Sequence, residues 1–284
     1  MIRLKDCDVG EPAPVDDEFI SREAISVPPP GTECRMNAFV CSLRILVVME
    51  SVVDVPPTRN LRSSSPFLAR ANSMFFGSRR HRDMREEEAL LDEIHRSVPP
   101  YWAYTPETLA SDDAIRVTQA ERLHCAEQFV RLMIHRQRFS DFVAERTGAA
   151  GEEEQCEIER EAMAAAHRCA VQLVVAHLHI ATKGLMTYCE SRFFLHLLER
   201  GDELGHFADG VHVIHQLTQA GRTLVAILLN CKSESLQYLI QPSLDALRSC
   251  MGLLRRFSGR YVCGVRSGDL MEEFCRREYF PVDS

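Results

Sequence analysis

Asp16, Asp17 and Glu18 stand consecutively in the stretch PVDDEFI. Three adjacent carboxylates are the raw material for a divalent-cation site, which takes several oxygen ligands, or for general acid/base work. His177 and His179, and His212 and His215, have spacings seen in metal sites, with His206 and Asp209 beside the second pair. Cys125 follows His124, the pairing a thiolate nucleophile with an imidazole base requires. Arg79, Arg80, His81 and Arg82 form a basic cluster followed by Arg85, with SSSP upstream at 63–66. Such clusters serve as nuclear import signals or phosphate contacts, and a serine-rich loop can accept phosphate.

The surroundings of each candidate decide its reading. The acidic run is flanked by Pro12, Pro14 and the prolines at 28–30, with no ligand beside it at helical spacing. It reads as a solvated connector in which Asp17 or Glu18 caps a short helical turn and Phe19 and Ile20 anchor it. On a helix, positions 177 and 179 point apart, whereas 212 and 215 share a face with only Asp209 as a nearby carboxylate. No oxyanion hole or oriented base is recognisable for Cys125, which reads as a core cysteine on a long helix. GxSxG, GxGxxG, HExxH and a glycine loop ending in GK[ST] do not occur, and ATKGL at 181–185 has the wrong order for a phosphate cradle. The expectation is a chain with no catalytic, cofactor-binding or metal-ligating residue.

Bulk properties narrow the classes further. The 284 residues carry a formal charge of −8, which argues against the chain as a whole being a nucleic-acid surface. The eleven cysteines contain no CxxC pair, and the closest two, Cys34 and Cys41, are too far apart for the usual half of a zinc tetrahedron. They read as reduced thiols of an intracellular protein, several of them packed as small hydrophobes. The most apolar windows, 40–53 and 170–181, are interrupted by Arg44, Glu50, His177 and His179 and fall short of the ~20 residues a spanning helix needs, so no membrane is expected.

The elements that must position these residues are helical. Residues 1–34 are acidic, proline-rich and irregular; 35–284 form a helical domain, within which 58–82 is a basic, serine-rich connection. Apolar residues recur at three- and four-residue steps over 36–53 and 114–146, an acidic-to-basic gradient suits a helix over 83–96, and a further helix starts with GEEEQ at 151 and runs to 182. Shorter periodic segments cover 188–199, 211–231, 236–257 and 268–277. Pro56-Pro57 and Pro99-Pro100 stop the first two helices, and SVPPYWAYTPETL reads as a loop. The predicted fold is all-α, an irregular bundle of roughly eight helices.

Taken in order, several segments resemble the middle homology region of fungal zinc-cluster transcription factors. DCDVGEPAPVDDEFI, then VPPPGTECRMNAFV, match that family's acidic segment, its DDE-plus-aromatic run, its proline/glycine step and the opening of its helix. SVPPYW at 97–102 leads into HCAEQFVRLMIHRQRF at 124–139, and SLDALRSCMGLLRRFSGRYVCGVRSGDLMEEF resembles the closing helices. Gln137-Arg138 stands where the family often has proline, so the helix is expected to continue there. The family's six-cysteine DNA-binding module and the helices preceding the acidic segment are absent, which reads as a truncated gene model or a short paralogue.

The resemblance implies a nuclear regulator of transcription by RNA polymerase II. This chain would be its regulatory and interaction domain, without specific DNA binding and without the zinc of the missing module. Its partners would be a second copy or a full-length transcription factor, with a small-molecule effector as a further ligand. The alternatives are a helical scaffold and an all-α enzyme. The enzyme would require a closed polar pocket gathering His206, His212, His215 or His124.

Overall fold

The computed structural model describes residues 10–53, 84–145, 152–185, 207–231, 234–257 and 261–279. Among them the fold is all-α, with eight α-helices: α1 Arg35–Val53, α2 Arg85–Ser97, α3 Pro106–Ala110, α4 Ala114–Glu145, α5 Glu152–Thr182, α6 Phe207–Asn230, α7 Ile240–Arg256 and α8 Val262–Glu278. Three 3₁₀ turns accompany them, at Asp17–Phe19, Pro100–Trp102 and Glu234–Leu239. No strand occurs among the described residues; extended pairing is limited to one antiparallel bridge between Ile20 and Ile25. The chain divides into two compact units, Met1–Glu159 and Arg160–Ser284, with the boundary inside α5.

In the first unit α1 packs against α4 and α2. Its core face repeats at three- and four-residue steps through Ala38, Cys41, Ile45, Val48 and Val52, which meet Leu91 and Ile94 of α2 and Leu123, Val130 and Ile134 of α4. Helix α2 forms because its apolar stripe is narrow and its charges follow the helix dipole, with Glu86, Glu87 and Glu88 in the first turn and His95 and Arg96 in the last. The segment read as a loop from 97 to 109 contains the short helix α3. Thr105 Oγ1 caps it by accepting from Thr108 N at 3.2 Å, and Pro106 sits at its first position, where a missing N–H costs nothing. Asp113 then caps α4, its Oδ1 accepting from Ile115 N and Arg116 N at 2.9 and 3.2 Å.

In the second unit α6, α7 and α8 pack on one another. Leu217, Leu224, Ile227, Leu247, Leu253 and Leu254 are almost fully buried there. Helix α5 ends where Gly184 takes a left-handed φ of 70°, and the guanidinium of Arg256 on α7 donates to the carbonyl of Ala181 at 3.3 Å. The region predicted as one helix over 236–257 begins as a 3₁₀ turn and becomes α-helical at Ile240, with Pro242 tolerated in its first turn. The last helix starts earlier than the predicted 268. Gly264 and Gly268 do not break it; both are buried and face Leu254 of α7, so they permit close helix packing. Gly221 on α6 is the tightest such contact, since a Cβ there would overlap the end of the Met271 side chain. The predicted helix over 188–199 lies outside the described residues.

Candidate functional site

The acidic run is built into the start of α1. Asp16 reaches forward along the chain, its Oδ2 accepting from Arg35 N at 3.0 Å and its Oδ1 from Met36 N at 2.9 Å. Both oxygens therefore satisfy backbone donors that the first turn of a helix leaves without partners. Asp17 and Glu18 are exposed and form the 3₁₀ turn, which carries no side-chain cap of its own. The capping residue is thus Asp16, not Asp17 or Glu18, and the helix it caps is α1. Phe19 is half-buried, but Ile20 is 48% exposed and is held by its bridge to Ile25. Farther upstream, Glu11 receives both Nε and Nη2 of Arg44 at 2.5 and 2.9 Å, and this hydrogen bonding holds its carboxyl below the usual range.

The SVPPYW segment converges on the same helix end. Trp102 is buried, and its indole N–H donates to the carbonyl of Cys34, the residue before α1, at 3.2 Å. The Tyr101 ring stands edge-on to it at 4.8 Å and its hydroxyl donates to Asp113 Oδ2 at 3.2 Å. Burial raises the Asp113 pKa, but the backbone donors of Arg116 and Ile115 outweigh it and the carboxyl stays below its ordinary value. Arg116 lies 4.3 Å above the Tyr101 ring, donates to the Tyr101 carbonyl at 2.9 Å and reaches Thr108 Oγ1 at 3.2 Å. Residues 10–36, 101–116 and the start of α4 are therefore tied at one corner of the first unit.

A second polar seam joins α2 to α4. Glu88 pairs with Arg138 at 2.7 Å and lies 3.4 Å from His135 Nε2; Asp92 pairs with Arg131 at 2.6 Å. Glu127 holds both Arg131 and His95 at 2.9 Å. Helix α4 continues through Gln137-Arg138, as the absence of proline there predicts, and that continuation delivers Arg138 to Glu88. The seam fixes the two helices rather than leaving a reactive group.

The histidine and cysteine candidates are accounted for locally. Cys125 is buried, and the neighbouring His124 ring stacks on Tyr104 with centroids 3.9 Å apart. Burial, with the nearby Glu121 and Cys125, pushes the Tyr104 hydroxyl up to about 12, so it stays protonated. His177 and His179 point apart, as predicted. His177 is buried, its Nε2 lies 2.9 Å from Gln216 Oε1, and burial pushes its pKa down to about 4. The amide nitrogen of Gln216 lies 2.9 Å from His212 Nε2, so the nitrogen that would ligate a metal already faces an N–H donor. His212 and His215 are exposed. His124 belongs to the first unit and His212 and His215 to the second. Among the described residues no group of three or more His, Cys, Asp or Glu side chains could hold a metal ion. His206, the Asp209 side chain and the whole Arg79, Arg80, His81, Arg82 cluster lie outside the described residues.

Sequence reasoning passed over Gln216, and it quoted Trp102 within SVPPYW without foreseeing its bond to Cys34. The signal for the first was available, because Gln216 follows His212 by one helical turn. No helix among the described residues is long and apolar enough to cross a membrane. No protein-family model matches the chain, and neither a curated protein nor a solved structure is detectably similar to it.

Proposed function

We propose that this chain is the regulatory and interaction domain of a transcription factor of the fungal zinc-cluster type, acting in the nucleus on transcription by RNA polymerase II. The observation that carries the reading is the convergence of separate motif segments on one helix end. PVDDEFI supplies the Asp16 cap, ECRMN supplies the capped backbone, and SVPPYW supplies the Trp102 bond to Cys34. Segments quoted for the resemblance thus serve one structural purpose, and the all-α architecture suits a domain that works by helix contacts. In this reading the chain carries out no reaction, binds no DNA specifically and acts by masking or docking an activation segment. The basic residues Arg79, Arg80, His81 and Arg82 would supply its import signal.

The test is a reporter assay in which the full chain is fused between a heterologous DNA-binding domain and an activation segment. Reporter output is expected to differ from that of the same fusion without the chain, and Asp16→Ala is expected to move it back toward that control. Output unchanged by the chain, and unchanged again by Asp16→Ala, would overturn the reading.

A further inference from the structure

One amide joins two histidines in the second unit. His177, on α5, is 4% exposed, and Gln216, on α6, is 2% exposed and stands between the two rings. His212, one helical turn before Gln216, is exposed to solvent. His177 Nε2 lies 2.9 Å from Gln216 Oε1, and Gln216 Nε2 lies 2.9 Å from His212 Nε2.

Only two arrangements satisfy such a series. The amide has one accepting oxygen and one donating nitrogen, so it accepts from one ring and donates to the other. In the arrangement found, His177 carries its proton on Nε2 and gives it to Oε1. His212 is then neutral, and its Nε2 lone pair takes the amide N–H. Protonated His212 carries N–H at both ring nitrogens, which sets donor against donor. A half-turn of the amide removes the conflict: Oε1 accepts from His212 and the amide nitrogen turns to His177. His177 must then offer a lone pair at Nε2, so its proton moves to Nδ1. His212 takes up one proton from solvent, while His177 stays neutral and changes only its tautomer. A hydrogen bond to a charged donor is about twice as strong as a neutral one, which favours turning the amide.

The surroundings leave this route open. The neighbouring ionisable residues are His179 and Lys183 on α5 and Asp209 and His215 on α6. From α7, Arg256 reaches the Ala181 carbonyl, one turn beyond His177. Helix α8 meets this part of α6 with Gly264 beside Ile214, an apolar contact. Among the described residues, His212 is the one whose charge acts on His177.

We propose that Gln216 is a two-position switch: protonation of the exposed His212 turns its amide and moves the proton of the buried His177 from Nε2 to Nδ1. Solvent pH is thereby coupled to the hydrogen bond between α5 and α6 without charging the core. The switch does not require the transcriptional reading, and it can operate whether the reporter assay succeeds or fails.

Long-range proton–nitrogen spectra of the histidine rings in the full chain test it, because they distinguish the two neutral tautomers and follow His212 in the same titration. Above the His212 midpoint, His177 is expected as the Nε2–H form. Below it the Nδ1–H form should take over, until His177 binds its own proton near pH 4. The tautomer change and the His212 titration should share one midpoint. His212→Phe, at an exposed position, should hold His177 as the Nε2–H form throughout. Gln216→Glu, whose carboxylate accepts from both rings, should do the same while His212 still titrates. The helical circular dichroism signal confirms that each variant is folded. A single His177 tautomer on both sides of the His212 midpoint, as when protonated His212 swings out to solvent, overturns the proposal. So does a tautomer change that survives His212→Phe.

Discussion

Removing the Asp16 carboxylate separates a capping role from a merely acidic one. Asp16→Ala deletes two hydrogen bonds, at 3.0 and 2.9 Å, to the first-turn donors Arg35 N and Met36 N. Loss of an N-cap by alanine substitution costs about 0.5–2 kcal/mol, and loss of a negative charge at a helix N-terminus adds about 0.3–1 kcal/mol. Asp16 is half-buried, so water replaces part of what is lost, and the expected cost to the first unit is about 1–2 kcal/mol. With a urea slope of roughly 1–3 kcal/mol/M, the midpoint should fall by about 0.3–2 M. Trp102, the chain's one tryptophan, makes the assay specific: it belongs to the first unit, and its indole bonds to the carbonyl just before α1. Its fluorescence therefore follows this unit, while circular dichroism follows both. Asp16→Asn keeps one acceptor and should lose about half as much. Asp17→Ala and Glu18→Ala, at exposed positions, should stay within about 0.5 kcal/mol. Equal midpoints for Asp16→Ala and Asp17→Ala would refute the capping assignment.

Two further outcomes concern the second unit. His177 titrates near 6.5 when unfolded and is pushed down to about 4 by burial when folded. Above pH 6.5 both states are neutral and stability is complete; between 6.5 and about 4 the unfolded state binds the proton first, so stability falls as pH falls, by up to about 1.4 kcal/mol per pH unit. Urea midpoints followed by circular dichroism across that window should drop in the native chain and drop less steeply in His177→Gln, where His167 and His179, also lowered by burial, still contribute. Gly221→Ala pushes the flexible end of the buried Met271 side chain aside while adding a better helix former, so the net cost should be about 0–2 kcal/mol. In a Met271→Ala background the same change should cost less than about 0.5 kcal/mol, a coupling that a double-mutant cycle in urea measures directly.

The helices were legible because their apolar spacing is long and regular: α4 was expected over 114–146 and runs Ala114–Glu145, and α5 was expected to end at Thr182 and does. What escaped were features set by partners distant along the chain. A cap is sought just before the helix it serves, and Asp16 lies far upstream of Arg35, so three adjacent carboxylates gave no indication of which one reached α1. The last helix was expected only from 268, yet it begins at Val262, because Gly264 lets its first turn pack closely against Leu254. The polar seam between α2 and α4 joins residues as far apart as Glu88 and Arg138, and no local pattern announces such a pairing. The His177–Gln216–His212 chain was half visible: the histidines stood out, and the amide between them did not.

The distance between Asp16 and the helix it caps has a consequence for proteolysis. Arg22 and Glu23 are exposed, and Val27, at 90% exposure, lies between them and the prolines at 28–30. A single cut there leaves every atom of the cap in place but makes it intermolecular. The fragment bearing Glu11 and Asp16 is then held only by its contacts, such as the Arg44 pair and the two backbone donors of α1, and no longer by the chain. Dilution alone can remove it, because the high effective concentration supplied by the connecting residues is gone. Cleavage in this stretch would turn a permanent helix cap into a ligand that can leave.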